Sequence, residues 1–231
     1  MIHSKYAVPA FIIAAAVSGE AIADDRNSWG LFVGTTASPD VTEIVTDTFT
    51  LNDVTGPSRL EVGSAGSLGY TIGVNWERLV QENVALGIEL AHRENEFDVG
   101  GRLAVSLNGD TNVTGLIGSG ELNSTALMAT TKVFTGTAKF KNRWFLSGGL
   151  GAASIEEKGT ARVIGPIFDV IIDDVGEVDE SDTRFAWQLG FGFDRHVGEN
   201  KRIRLAYTFF NAGDGEFVGS EAHGLTLGVQ F

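Results

Sequence analysis

The sequence predicts an all-β chain, eight antiparallel strands closed into an up-and-down transmembrane β-barrel. Three observations carry this prediction. Apolar residues recur at every second position through most of the chain, the alternate row is small or polar, and the connections alternate between long and short. Successive side chains on a strand point to opposite faces, so a period of two marks a strand with one greasy and one polar face.

Composition narrows the class first. Of 231 residues, 43% are hydrophobic and 20% charged, which excludes a disordered or collagen-like chain. Glycine is abundant at 30, proline scarce at 4, and cysteine absent. No disulfide, thiolate metal site or cysteine nucleophile can therefore exist. A net charge of −13 argues against a nucleic-acid partner, since phosphate binding needs clustered Lys and Arg.

The N-terminus reads as an export signal over 1–23. Lys5 supplies a positive start, Ala7–Val17 an uncharged apolar run, and Ala21-Ile22-Ala23 a small-x-small cleavage site. The run is shorter than the roughly 20 residues a spanning helix needs. Residues 24–231 are then the barrel.

The strands follow in order. Trp29–Ser38 is the first, with a long loop over about 39–65. Leu68, Tyr70, Ile72, Val74 and Trp76 form the greasy row of the second, and a short turn over Leu79–Asn83 leads to Val84, Leu86, Ile88 and Leu90 in the third. A long loop covers about 98–121. Leu122–Phe134 is the fourth strand, and a short turn over Thr135–Asn142 precedes the fifth, Arg143–Ile155. The third long loop, about 156–182, carries nine carboxylates against Lys158 and Arg162. Phe185, Trp187, Leu189, Phe191 and Phe193 mark the sixth strand, and Gly198–Lys201 turns into Ile203, Leu205, Tyr207 and Phe209 of the seventh. A loop over about 211–222 leads to Leu225, Leu227, Val229 and Phe231 in the eighth. The regular rows carry no charge. Long connections fall at one end and short ones at the other, an asymmetry of membrane barrels that a soluble sandwich has no reason to keep.

Alternation alone does not say which row faces in. The second row is small, with Gly69, Gly73, Ala85, Gly87, Gly190, Gly192 and Gly228 among its members. An eight-stranded barrel has an interior that only just holds side chains. The bulky row is therefore expected in lipid, and the small-polar row inside. On or close to that inner row fall Glu77, Glu89, Arg93, Lys132, Arg184 and Arg204, a candidate lumen network of both signs, in which Glu77 or Glu89 pairs with a lumen arginine. Buried charges must be paired and hydrogen-bonded. Asp194 lies close to the same row, and it and Arg93 stand near strand ends, where water is an alternative partner. Trp29, Trp76, Phe134, Trp144, Phe193 and Phe231 cluster at strand ends beside the short turns, as a single-rim aromatic girdle of a membrane interface would.

The ending His223-Gly-Leu225-Thr-Leu227-Gly-Val229-Gln-Phe231, with Gly148–Ala152, resembles the small bacterial outer-membrane β-barrel superfamily that includes opacity-type proteins. The resemblance covers most of residues 29–231. It implies an outer-membrane location in a Gram-negative bacterium and both termini in the periplasm. It also implies recognition of the C-terminal strand, with Phe231 as the terminal signal, by the barrel-assembly machinery. Lipid-A deacylases of that superfamily carry a His-x-Ser pair, which this sequence lacks.

Chemistry is otherwise sparse. His92, His196 and His223 sit on different segments with no His or Cys at metal-ligand spacing, and no Ser or acid completes a triad with His223. Gly148-Gly149-Leu150-Gly151 lacks the frame and following helix of a phosphate loop. The acidic third loop does not match a calcium-binding EF-hand, and reads as a solvated surface. No catalytic, cofactor or metal site is expected. The expected role is structural or surface-interactive, with outer-membrane lipid and an unknown extracellular partner of the loops. A lipid-modifying enzyme or a narrow channel is the alternative.

Overall fold

The computed structural model describes residues 26–51, 54–65, 68–107, 110–137, 140–164, 166–167, 170–171, 175–198, 201–214 and 219–231. The expected export signal lies outside these residues. Among the described residues there are twelve strands: β1 (Asn27–Ala37), β2 (Val41–Leu51), β3 (Val54–Ala65), β4 (Leu68–Gln81), β5 (Val84–Leu107), β6 (Asp110–Phe134), β7 (Asn142–Ile164), β8 (Pro166–Ile167), β9 (Val170–Ile171), β10 (Val175–His196), β11 (Arg202–Asp214) and β12 (Gly219–Gln230). No helix among the described residues is long and apolar enough to cross a membrane, which says nothing about crossing by strands.

Eight strands close a ring in the order β5-β4-β1-β12-β11-β10-β7-β6, with β6 pairing back onto β5. Every neighbour is antiparallel. The seam joins the first ring strand to the last, with Gly30 opposite Gln230 and Ala37 opposite His223. Trp29 N–H donates to the Phe231 carbonyl at 3.1 Å, and Phe231 N–H returns the bond at 2.7 Å. At the short-turn end, Glu82–Asn83 link Gln81 to Val84 across a bulge at Leu79–Gln81.

The segments expected as long loops are largely strand. Residues 39–65 contain the β2–β3 hairpin, and β3 pairs with the outer part of β5, Asp98–Val105. Within residues 98–121, 98–107 and 110–121 are the outer halves of β5 and β6, which stay paired from Val84 opposite Val133 to Leu107 opposite Asp110. Residues 156–182 hold the outer parts of β7 and β10 with the small β8–β9 pair, and β11 and β12 reach into 211–222. The physical reason is solvent. A strand in lipid needs an apolar outer row, and one in water does not, so the greasy alternation stops at the membrane boundary while the hydrogen-bonded ladder continues. β5 has 24 residues, about 80 Å at 3.3 Å per residue, where about 9–11 suffice to cross a bilayer.

The two faces of the wall separate cleanly. Leu146 is 68% exposed and Leu189 57%, both on the outside, whereas Ala91, Ala126, Ala153 and Ala186 are fully buried inside. The inner row nevertheless holds large apolar groups. Near the short turns Phe134 and Phe145 pack with Ala85. Toward the other end Phe97, Val99, Leu122, Met128, Ile155 and Phe210 form a second cluster with the small alanines. Glycines opposite these rings make the room. A Cβ on Gly192 would lie 2.4 Å from the Phe145 ring and 2.5 Å from the Leu205 carbonyl oxygen. Gly192→Ala is therefore expected to cost about 1–3 kcal/mol through overpacking, read as a lower urea midpoint of the refolded protein. An unchanged midpoint would mean that Phe145 does not fill this space.

Candidate functional site

The lumen is where the sequence-predicted charges meet. Inward positions come from the pleat. Glu77 on β4, Lys132 on β6, Asp194 on β10 and Arg204 on β11 fall on the inner rows, and the register sets Asp194 directly opposite Arg204. Each is at most 6% exposed. The Arg204 guanidinium bridges two carboxylates. Nη1 and Nη2 donate to the Glu77 carboxylate at 2.5 and 3.0 Å, and Nε and Nη2 donate to Asp194 at 2.7 and 3.0 Å. Lys132 donates to Glu77 as a second cation, and Arg143 on β7 reaches Asp194 at 3.1 Å. Such bidentate, charge-assisted bonds are the strong kind, and among side chains this buried they offset the desolvation of the charges.

Amides and aromatics complete this layer. Asn75 donates to Glu77 at 2.6 Å, and Gln230 donates to Asn75 at 2.9 Å. On the short-turn side the Arg143 guanidinium lies 3.6 Å over the Phe134 ring, and Arg204 lies 4.9 Å over Phe145. Phe134 and Phe145 themselves meet at 5.8 Å between centroids. Ring faces attract cations, so the two phenylalanines both seat the guanidiniums and close the lumen beneath them.

A second polar layer lies further along. Gln188 stands between the other two predicted charges. Its amide N–H donates to Glu89 at 3.0 Å, and Arg93 Nη2 points at its oxygen at 3.5 Å. Arg93 also stacks 4.0 Å over Phe210. Above them Thr36 hydrogen-bonds Asn95. The space left among these side chains amounts to a cavity of about 40 Å³ lined by residues such as Phe32, Asn75, Arg93 and Arg204. That is room for a few water molecules, each of which needs at least roughly 10–15 Å³ by this measure.

The structure brings some of these side chains together and not others. Glu77, Lys132 and Arg204 share one cluster, in which Arg204 pairs with Glu77. Glu89 and Arg93 meet through Gln188. Arg184 lies beyond the point where β11 pairs with β10, and its Nε donates to the exposed Asp182 at 3.0 Å. That bond, with the Thr183 N–H, holds the Asp182 carboxyl below its usual range. Asp194 is 1% exposed and buried in the ion-pair cluster, shielded from the near rim by the phenylalanine pair. Arg143 was missed although it shares the inner row with Phe145 and Ser147, and that parity is the signal that finds it.

The girdle needs similar correction. Trp29, Trp76, Trp144, Phe193 and Phe231 lie at the short-turn rim. Trp29 stands opposite Trp76, Trp144 meets Phe193 at a tilt with centroids 5.0 Å apart, and the Lys201 ammonium sits 5.7 Å from the Phe231 ring. Phe134 points into the lumen instead. A second aromatic line crosses the outer half of the wall, so the distribution is not confined to one rim. Trp187 meets Phe209 at 5.2 Å, Phe209 meets His223 at 5.2 Å, and Tyr207 meets Phe191 at 5.2 Å. Tyr207 OH lies 2.6 Å from His223 Nδ1. His92 bonds Thr125 and His196 bonds Arg202. Among the described residues no three His, Asp or Glu side chains are grouped to hold a metal.

A closed antiparallel ring with bulky apolar side chains outside and paired charges within is the inside-out arrangement of a transmembrane β-barrel of the outer-membrane type. The sequence matches no protein-family model and no curated protein. Among solved structures the chain is similar to Neisserial surface protein A, at 12% identity and TM-score 0.47, covering 91% of this chain and 98% of that one. It is also similar to Ail, the attachment invasion locus protein of Yersinia pestis, at 13% identity and TM-score 0.42, covering 89% and 99%. The N-terminal β-barrel domain of Pseudomonas aeruginosa OprF is a third, at 16% identity and TM-score 0.36, covering 89% and 96%.

Proposed function

We propose that this protein is a non-enzymatic surface protein of a Gram-negative outer membrane, in which a closed barrel anchors a β-sheet that makes contacts outside the cell. The observation that carries this reading is the filled lumen beneath a tall sheet. Five charged side chains from five ring strands, Glu77, Lys132, Arg143, Asp194 and Arg204, are locked together over Phe134 and Phe145, while β5, β6, β7 and β10 run on far past the greasy band. A plug of paired charges suits an anchor better than a pore, and the extended ladders suit display. Outer-membrane lipid is the partner of the wall. The C-terminal strand ending in Phe231 is the segment the barrel-assembly machinery would engage.

Reconstitution tests the reading. The protein folded into lipid vesicles is expected to show heat-modifiable gel migration, to give no steady conductance in planar bilayers, and to expose the outer part of β6 at Asp110 to added protease. A stable single-channel current would move the reading to a channel. Full solubility of the folded chain in plain buffer would remove it.

A further inference from the structure

The two ends of the barrel differ in charge. Among the described residues the tall sheet and its connections expose ten carboxylates, Glu96, Asp98 and Glu121 among them, against four cations. The short-turn end exposes cations instead. Arg78 on β4 and Arg195 on β10 each come one residue after a lumen acid, Glu77 or Asp194, so the pleat turns both outward, and both are exposed. Arg78 is two residues past Trp76, and Arg195 two past Phe193, on the same outward rows as those girdle rings. Arg26 joins Arg78, since its carbonyl accepts from Leu79 N–H at 2.7 Å, and Lys141 joins Arg195, since its carbonyl accepts from His196 N–H at 2.8 Å. The Lys201 ammonium at the Phe231 ring lies between the two pairs. No carboxylate among the described residues bridges Arg26, Arg78, Lys141 or Arg195. The acidic side chains described at this end are Glu77 and Asp194, locked in the lumen, and Glu82 in the β4–β5 turn.

We propose that this rim docks anionic phospholipid headgroups in the leaflet it faces, with Arg78 and Arg26 on one side of the arc and Arg195 and Lys141 on the other reaching the phosphates. The inference rests on the reading that the wall stands in a bilayer. Depth supports it. Aromatic rings mark the interface of a membrane barrel. Two residues along a strand advance about 6.6 Å, and the headgroup layer is roughly 5–7 Å thick on each side of the hydrocarbon core. Cations one step beyond the rings therefore stand at the depth of the phosphates. Continuity with the wall selects a lipid over a dissolved anion. Each cation pair lies beneath a ring pair, Trp76 with Trp29 or Phe193 with Trp144, so an acyl chain packed on the greasy wall brings its own headgroup to the arginines. Each Lys or Arg near an anionic bilayer surface adds about fivefold to the association, and the acidic sheet at the other end offers no such attraction.

Tryptophan quenching tests it, because three of the four tryptophans, Trp29, Trp76 and Trp144, stand on this rim. The full chain is folded into phosphatidylcholine vesicles that contain a minor share of lipid with brominated acyl chains, carrying either a phosphatidylglycerol or a phosphatidylcholine headgroup. The parent is expected to be quenched by the glycerol lipid as if it were enriched several-fold at the rim. R78Q/R195Q is expected to lose most of that preference and R78K/R195K to keep it. S119E/T160E makes the same change in net charge on the tall sheet and is expected to keep it too. Salt raised from about 0.01 to 1 M, which shortens the screening length from about 30 to 3 Å, is expected to erase it. Equal quenching of the parent by both lipids, or a preference that R78Q/R195Q retains, would overturn the proposal. A preference that S119E/T160E also loses would tie it to net charge and overturn it. Dissolved glycerol phosphate that erases the preference would assign the rim to soluble anions, with the same result. Brominated phosphatidylcholine separates the two readings. If it quenches the parent and the headgroups tie, the docking surface fails while the barrel in lipid stands; if it does not quench at all, the underlying reading fails first.

Discussion

Arg204→Met is expected to lower the unfolding free energy by about 3–5 kcal/mol, the cost of removing one partner from a buried ion pair. The size follows from what stays behind. The Glu77 and Asp194 carboxylates each accept two bonds from this guanidinium, and both are almost wholly buried. Lys132 and Arg143 still face them, but neither offers the planar fork that spans both acids at once. Arg204→Lys keeps the charge and loses the fork, so it should fall between parent and Arg204→Met. Urea unfolding of the refolded protein, followed by tryptophan fluorescence, measures the order. Equal midpoints for parent and Arg204→Met would mean that water, not protein, neutralises the acids in the lumen.

Leu189→Arg is expected to cost about 2–4 kcal/mol in a lipid bilayer, the penalty for a cation on the lipid face near the midplane. Leu189 sits on the outward row of β10 between Phe185 and Phe193, 57% exposed. In a water-soluble barrel the same exposed position would tolerate arginine within about 0.5 kcal/mol. Thr183→Arg, on an exposed stretch of the same strand beyond the greasy row, is the matched control and is expected to be near neutral. Unfolding titrations of the three proteins in one lipid decide it. If both variants match the parent, the outer wall does not meet acyl chains.

How much of this was legible in the sequence depends on which solvent each residue meets. The greasy rows on β4, β5, β10, β11 and β12 were readable because lipid demands an unbroken apolar outer row. The same demand fixed the inner row, and with it Glu77, Lys132 and Arg204. Beyond the bilayer that demand lapses. Asp98, Arg102, Glu121 and Lys158 on outer segments look like loop residues, although they belong to continuous ladders. Within the lumen, period two told which way a side chain points but not what it meets. Parity does separate Phe134, which shares the inner row of Lys132, from Phe193, which shares the outer row of Leu189. Arg184, by contrast, shares the parity of Gln188 and yet reaches Asp182, because its height along the barrel lies past the point where β11 stops pairing with β10.

The β1–β12 seam has a consequence for how the chain comes to be folded. Gly30 meets Gln230, so the contact that completes the cylinder is among the most sequence-distant the chain can make. Such non-local pairings form slowly. Until the last segment arrives, β1 and β11 each keep an exposed ladder, and no arc of the wall has its final neighbours. Loss of the last dozen residues would therefore leave an open, sticky intermediate rather than a slightly smaller cylinder, and native-state hydrogen exchange along Leu31–Thr35 should report closure as one cooperative event.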